Sequence, residues 1–414
     1  MRMTRHRTIA WTVLLALLLV PLVATGAEPP RNVIVMIGDG MGLQQVKAAS
    51  LYATGKKGGL AFEKYYRGLL TTHSLNSHLA KYNYATDSAA AATALATGHK
   101  TNNEVVGRDA AGADVETILE HLAKRGKWTG LVVTLSMTHA TPAGFAAHAR
   151  KRTDYKKIAS DYFTVSRPNI LFGATRKDGS GVTPLKARQA GYTVVTTRDE
   201  MSAYAADAKS ASTAAAAKPP YVSGQFGNDL LPWEYDGPVT VKHRLRYTKK
   251  PGVDYKTVPH LSEMTQVALD LLADGPKGFF LMVEGSTIDW ACHDNFIERA
   301  VHETVEFAKA FEVVMKWADR REDTLVVVAA DHETGGMWVV KGRGKGKMPE
   351  VLWGTRNHSG ITVPTYAWGP GAESLETTLD ETDLWAVIMG TATPVAVPVA
   401  VPDDMDDESA AGPD

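Results

Sequence analysis

Four stretches of the chain are apolar almost without interruption: "NVIVMIG" (32–38), "WTGLVVTL" (128–135), "GFFLMVEG" (278–285) and "TLVVVAAD" (324–331). Runs of this length without alternation predict strands buried on both faces. "NILFG" (169–173), "YTVVTT" (192–197) and "TVPTYAWG" (362–369) predict three weaker strands. Between them lie helix-like segments at 42–54, 88–97, 114–125, 155–163, 261–273 and 296–318. Strands alternating with helices predict an α/β fold, an α/β/α sandwich around a mostly parallel central sheet. The order of the strands is not legible at this level. "ADAKSASTAAAAKPP" (206–220) is low in complexity and predicts a surface helix or loop. From Thr391 the chain turns proline-rich and then acidic, too poor in buriable surface to fold, which predicts a disordered tail over 391–414.

The N-terminus changes the picture of the compartment. Arg2, Arg5 and Arg7 precede the apolar stretch "VLLALLLVPLV" (13–23), and the small residues "ATGA" (24–27) come next. That order describes a secretory signal over 1–27, with cleavage after Gly26 or Ala27. The apolar run is 11 residues long and contains Pro21, whereas a membrane span needs about 20. The expectation is an exported protein, periplasmic or extracellular, without a stable membrane anchor. A chain of 414 residues suits two domains or one large α/β domain. Its formal net charge of −1 argues against nucleic acid as a binding partner. The basic run "KGRGKGK" (341–347) reads as a solvated loop. Cys292 is the one cysteine, so stability outside the cell must come from the core or from metals.

The residues just beyond each strong strand carry the chemistry. In open α/β sheets, ligands bind beyond the carboxyl ends of the strands. After "VIVMI" comes Gly38-Asp39-Gly40, after "FFLMV" comes Glu284, and after "LVVVAA" comes Asp331-His332. After "LVVTL" the chain runs through "SMTHATPAG", with His139 and Thr141. Each residue alone could be a turn former or cap; four strands bringing metal-type ligands to one edge is a pattern. "GDGMG" (38–42) is not a dinucleotide fingerprint, because Leu43 stands where the last glycine is required. Its glycines instead let the backbone bend so that Asp39 faces the site.

In "EGSTIDWACHDN" (284–295), Asp289 and His293 are four apart and share one face of a helical turn. With His358 of "RNHSG" they make a nitrogen-rich set suited to Zn²⁺. Asp39, Asp331 and His332 make a second zinc set, and the oxygen-only set Asp39, Thr141 and Glu284 suits Mg²⁺. His302, on a charged helix with Glu303 and Glu306, reads as a surface residue, and His73, His78 and His148 have no carboxylate at ligand spacing. Paired zinc ions clamp the attacking and leaving oxygens of a phosphoryl displacement. In "YATDSAAAATALATG" (84–98), Asp87 and Ser88 open an alanine-rich helix. Ser88 is either the cap of a surface helix or a nucleophile at a helix N-terminus, where exposed N–H groups favour an anion. Arg150 and Arg152 are both candidates for a bidentate phosphate fork.

Taken together, "VIVMIGDGMG", "TDSAAAATALATG", "HATPAGFAAHARKR", "FFLMVEGSTIDWACH" and "VVAADHETGG" resemble the motifs of the metal-dependent alkaline phosphatases, in that family's order. "ILFGATRK", "SGQFG" and "VPHLSEMTQVAL" match more weakly, so the resemblance spans a catalytic domain over 31–390. It implies a three-layer α/β/α sandwich, the three metal sets above, and hydrolysis of phosphate monoesters through a phosphoserine at Ser88 by a zinc-activated water. It selects Arg152 over Arg150, because Arg152 stands four residues after His148. A homodimer is implied, since many members form one. His139 stands where the enteric bacterial pattern has aspartate, and Trp290 where it has lysine. With Asp87 they are expected next to the ligands rather than among them. An imidazole at His139 leaves the third ion open between magnesium and zinc. His332 and His358 are 26 positions apart, which leaves little room for the crown-like insertion of larger members.

Two rival readings stay in view. A phosphodiesterase or nucleotide pyrophosphatase of the same superfamily typically presents threonine as nucleophile and lacks an arginine placed like Arg152. A non-catalytic exported phosphate- or metal-binding protein would not need Ser88. A sulfatase requires a C-x-P-x-R signature, which Cys292 does not open.

Overall fold

Each of the four long apolar runs is a strand buried along its whole length: Asn32–Gly38, Trp128–Ser136, Phe279–Gly285 and Thr324–Ala329. In this computed structural model, which describes residues 29–211, 219–238, 245–246 and 256–391, they form the middle of a ten-stranded sheet. They are neighbours there, in the order Thr324–Ala329, Asn32–Gly38, Phe279–Gly285, Trp128–Ser136. Beyond the first lie Val363–Trp368, Tyr66–Thr71 and Thr378–Asp380; beyond the last lie Ile170–Thr175, Val222–Asn228 and Thr193–Val195. Every pairing is parallel except those of Val363–Trp368, which runs antiparallel to both neighbours. Parallel strands need helical crossovers, and the flanking helices cover both faces, which is why these strands carry no polar face.

The helices fall into two packed groups. Leu43–Thr54, Leu261–Leu272 and Thr287–His293 pack on the long helix Ile297–Ala318, while Ser88–Thr97 packs on Ala140–Ala146. The last contact explains the alanine run. All ten residues of Ser88–Thr97 are buried, so it is not a surface helix. A Cβ on Gly144 would come within 2.6 Å of the Ala92 Cβ. Small residues on both helices are what allow their backbones this close approach.

Several expectations are corrected here. The segment 114–125 is helical only over Ile118–Lys124, because Thr117 and Glu120 close a capping box at its start. His302 is half-buried rather than on the surface, its ring against Tyr52 and Tyr235 at 5.0 and 5.2 Å. Its neighbours Glu303 and Glu306 are buried as well. Glu303 accepts the Glu234 N–H at 2.8 Å and Glu306 the Ser262 N–H at 3.0 Å, so that helix buries two carboxyl groups to close the loops beside it. Lys341 ends the strand Met337–Lys341, and residues 342–347 form a largely exposed loop between it and its paired strand Glu350–Trp353. Helix Arg198–Ala211 takes up the start of the low-complexity stretch. The segment 212–218, the signal segment 1–27 and the tail from residue 392 lie outside the described residues. Among the described residues no helix is long and apolar enough to cross a membrane.

Candidate active site

The four adjacent strands converge their polar C-terminal residues on one spot. Asp39 follows Asn32–Gly38, Glu284 lies near the end of Phe279–Gly285, and Asp331-His332 follow Thr324–Ala329. His139 caps Ala140–Ala146, the helix after Trp128–Ser136, and Thr141 lies in its first turn. Asp39, Thr141, Glu284, Asp331 and His332 are all fully buried. The bend after Asp39 needs glycine: Gly40 has φ +72°, and a Cβ there would meet the Thr334 hydroxyl at 2.8 Å. That bend also turns the Gly40 N–H to the Asp331 Oδ1 at 3.1 Å, which ties two strand ends together.

One histidine–carboxylate set forms around Asp289. His293 Nε2 lies 3.3 Å from its Oδ2 and His358 Nε2 lies 3.5 Å from its Oδ1. In each histidine Nδ1 faces a backbone carbonyl, Arg356 O at 2.7 Å and Thr86 O at 2.8 Å. Such a carbonyl accepts a hydrogen bond from Nδ1–H, which keeps the proton on Nδ1 and leaves both Nε2 lone pairs pointing inward, as in metal-binding histidines. A second set forms around His332 Nε2, 3.3 Å from Asp331 Oδ2 and 3.6 Å from Asp39 Oδ1. Asp289 lies within ligating reach of Asp39 and His332 too, so the two sets share a wall. The Thr334 hydroxyl links them, donating to Asp289 Oδ1 at 2.5 Å and meeting His332 Nδ1 at 3.3 Å. In the third set Asp39 and Glu284 are joined by the His139 ring, close enough for all three to hold one ion. The structure thus brings His139 into the cluster itself, where the sequence places it outside.

Ser88 sits between these sets and the arginine. Its Oγ lies 3.3 Å from His332 Nε2. It is not the helix cap: Asp87 is, accepting the Ala90 N–H at 3.0 Å. The same carboxylate holds Arg152, whose Nη1 donates to Asp87 Oδ2 at 2.9 Å. The second arm of the fork, Nη2, lies 3.4 Å from His139 Nε2. Trp290 stands edge-on to the His139 ring at 6.2 Å between centroids. Residues 148–152 are not helical, since Ala149 bridges Val106. Arg150 lies in a bend that leads into a turn at Arg152, and is exposed. His148 finds a carboxylate after all, Glu120 Oε1 at 2.9 Å, but as an ion pair away from the three sets.

Electrostatics make this arrangement costly without cations. Both oxygens of Asp39 and of Glu284, the Asp331 Oδ2, the Thr141 hydroxyl and the His139 Nδ1 have no hydrogen-bond partner among the described residues. Unpaired buried polar groups of this kind cost about 1–3 kcal/mol each, and charged ones more. Burial, with the charges of Asp331 and Asp289 beside it, pushes Asp39 well above the ordinary carboxylate range. Burial pushes Glu284 up to about 8 and, together with Asp289, Asp331 up to about 7. Burial works the same way on Asp289, yet His293, His358 and His332 together hold it below the usual range. Burial, with Arg152 nearby, pulls His139 down to about 3, and burial with His358 keeps His332 neutral. The donor sets, nitrogen and oxygen crowded around orphaned carboxylates, fit divalent metals.

These shifts give the metal-free protein a pH dependence. Its folded state holds protons on Glu284 and Asp331 that the unfolded chain releases near pH 4. Stability from such raised groups is full below the unfolded pKa, declines as pH rises above it, and is gone once pH has passed the folded values of about 7 and about 8. Above pH 7 the lowered His139 and His332 are mostly neutral in both states and add little slope. Chelated protein should therefore melt at progressively lower temperature between pH 7 and about pH 8 and level off above, and zinc with magnesium should remove the decline. A flat profile in chelator would mean that another counter-charge serves these carboxylates.

The partners that orient these groups are not legible in the sequence pattern. Thr334 lies within the quoted "ADHET" and Arg356 beside His358, so proximity to a ligand is the available signal. Nothing local marks Asn103, whose Oδ1 accepts the Asp87 N–H at 3.0 Å.

The alkaline phosphatase family profile matches residues 30–348. Alkaline phosphatase 4 of Bacillus subtilis is 37% identical over 75% of this chain and 62% of its own length. The match thus spans less than two thirds of that relative. Streptomycin-6-phosphate phosphatase of Streptomyces griseus is 32% identical over 93% of this chain and 96% of its own. Among solved structures, the cold-active alkaline phosphatase of the psychrophile Shewanella sp. has a TM-score of 0.70 at 26% identity, covering 87% of this chain and 100% of that one. The fold, the order of the motifs and these matches agree: the chain belongs to the alkaline phosphatase family.

Proposed function

We propose that the protein hydrolyses phosphate monoesters to an alcohol and inorganic phosphate, through a phosphoserine formed at Ser88. The observation that carries this reading is the placement of Ser88 Oγ at 3.3 Å from His332 Nε2, beside an arginine fork held by Asp87. Asp289, His293 and His358 would hold one zinc, and Asp39, Asp331 and His332 a second. Asp39, Thr141 and Glu284, with His139, would hold the third ion, magnesium or zinc. Bound metal would supply the Lewis acidity that lowers the pKa of the Ser88 hydroxyl and of the hydrolytic water.

The chain's own residues do the rest. Arg152 binds two non-bridging oxygens of the phosphoryl group and sets phosphorus in line with Ser88 Oγ. The Ser88 Oγ–phosphorus bond forms as the bond to the leaving alcohol oxygen breaks; water then cleaves the phosphoserine and frees phosphate. Asp87 keeps the guanidinium from swinging away between the two steps. The N-terminus of the Ser88–Thr97 helix offers further N–H groups to the anion. Export, by the N-terminal signal, and a homodimer belong to the same proposal.

Turnover of an aryl phosphate monoester before and after chelation, beside turnover of a bis-aryl phosphate diester, tests the reading. Chelator-sensitive hydrolysis that favours the monoester is expected; faster diester cleavage would replace it with the phosphodiesterase reading.

Arg152→Ala removes two charge-assisted hydrogen bonds, each worth about 1.5–3 kcal/mol. It should lower kcat/KM by about 10- to 1000-fold and weaken inhibition by inorganic phosphate. Zinc content should stay the same, because arginine is not a ligand. Loss of zinc in this variant would mean that the arginine supports the metal cluster rather than the phosphate.

A further inference from the structure

An open cleft of about 280 Å³ is lined by Thr101, Asn102, Val105, Arg108, Asp109 and Arg150 among others. The segment that forms it also braces the phosphate fork. Asn103 accepts the Asp87 N–H at 3.0 Å, the Glu104 N–H donates to Asp87 Oδ1 at 3.0 Å, and Glu104 O accepts the Arg152 N–H at 2.7 Å. Asn102 and Val105 of the lining thus flank the two residues that brace the fork, and Arg150 of the lining is two positions from Arg152.

The lining of the cleft is rich in donors. Arg150 is exposed and has no ion pair among the described residues. Arg108 meets Asp114 at 2.7 Å, an acid that is itself 57% exposed, so water screens that pair and leaves the guanidinium able to bind elsewhere. Asn102 adds an amide. The Thr101 hydroxyl is buried without a partner among the described residues. Against these stands one carboxylate, Asp109, whose Oδ1 already accepts the Ala113 N–H at 2.8 Å. Two guanidinium groups converging on one hollow match the planar, bidentate acceptors of phosphate and carboxylate. The volume is close to the lower end of small-molecule pockets, about 300 Å³, and suits the far end of a sugar-sized group.

We propose that this cleft binds a second anionic group carried by the leaving group, so that the protein prefers monoesters whose alcohol part is itself negatively charged. The proposal rests on the reading that Ser88 and Arg152 hold the phosphate to be cleaved. Its donors come from Arg150 and Arg108, which that reading does not use.

The test measures equilibrium binding to metal-loaded Ser88→Ala protein, which cannot turn its ligand over through a phosphoserine. The probes are a hexose bisphosphate and the matching hexose monophosphate. The bisphosphate should bind on the order of tenfold more tightly, and Arg150→Gln in the same background should remove most of that advantage. Arg108→Gln added to it should remove the remainder. Because Arg150 is exposed and makes no ion pair among the described residues, its substitution should leave the fold intact, so the single variant decides the matter if the double one is unstable. Equal affinities for the two probes, or an advantage that survives Arg150→Gln, would overturn the cleft proposal. Turnover of p-nitrophenyl phosphate by the unsubstituted protein reports separately on the monoesterase reading, since that ester has no second anionic group.

Discussion

Asp331→Ala should strip metal from the protein and lower monoester turnover by orders of magnitude. Asp331 is fully buried, and its Oδ2 lies 3.3 Å from His332 Nε2 with no proton donor to satisfy it. Its other oxygen accepts the N–H groups of Gly40 at 3.1 Å and His332 at 3.0 Å, so it shapes two strand ends as well as the cluster. Losing it leaves the His332 set with one carboxylate fewer and the Gly40 N–H unpaired. Substituting a mere outer partner of a metal ligand typically costs about 10- to 100-fold, and a group inside the set should cost more. Asp331→Asn separates the two roles, because it keeps an oxygen for Gly40 while removing the charge. Both variants should bind less than two zinc ions per chain. Two zinc ions and near-normal turnover in either one would remove Asp331 from the proposed set.

Ser88→Ala should have an effect of similar size by a different route. Ser88 opens a helix whose cap is Asp87, and its hydroxyl meets only His332 among the described hydrogen bonds. Alanine suits that position, so stability should change by about 1 kcal/mol or less and zinc content not at all. Turnover should fall by several orders of magnitude, because the group proposed to form the covalent bond is gone. Residual hydrolysis is expected, since water can attack a phosphoryl group held by the same arginine and metals. Activity equal to the unsubstituted protein would reject the covalent route.

Burial decides how much of this is legible in the sequence. The four central strands announce themselves because helices cover both of their faces, so their apolar runs have no gaps. Tyr66–Thr71 and Thr378–Asp380, near and at a half-covered edge of the sheet, have mixed composition and give no strand signal. The helix Ala140–Ala146 escapes for the opposite reason: it is buried all round, so it has no polar face to give it a period. In the candidate site, residues at strand ends are legible because the sheet itself aims them. Asp289 and His293 are legible because a helical turn pairs positions four apart. Asp87 and Arg152, 65 positions apart, meet only through the fold, and helical spacing cannot choose between Arg150 and Arg152 because the chain at 148–152 is not a helix. Glu303 and Glu306 read as solvated because charge usually is; the loops they hold are distant in sequence. Resemblance places His139 outside the ligands, whereas the structure seats its ring between Asp39, Glu284 and Arg152.

The proposed function turns on a covalent bond between phosphorus and Ser88 Oγ. The most direct measurement is rapid acid quenching of the metal-loaded protein turning over a phosphate monoester labelled in its phosphoryl group, followed by peptide mapping. Label is expected on the peptide that contains Ser88, on that residue alone, and none in Ser88→Ala. Label on a different residue of an active enzyme, or full labelling of the Ser88→Ala protein, would contradict it.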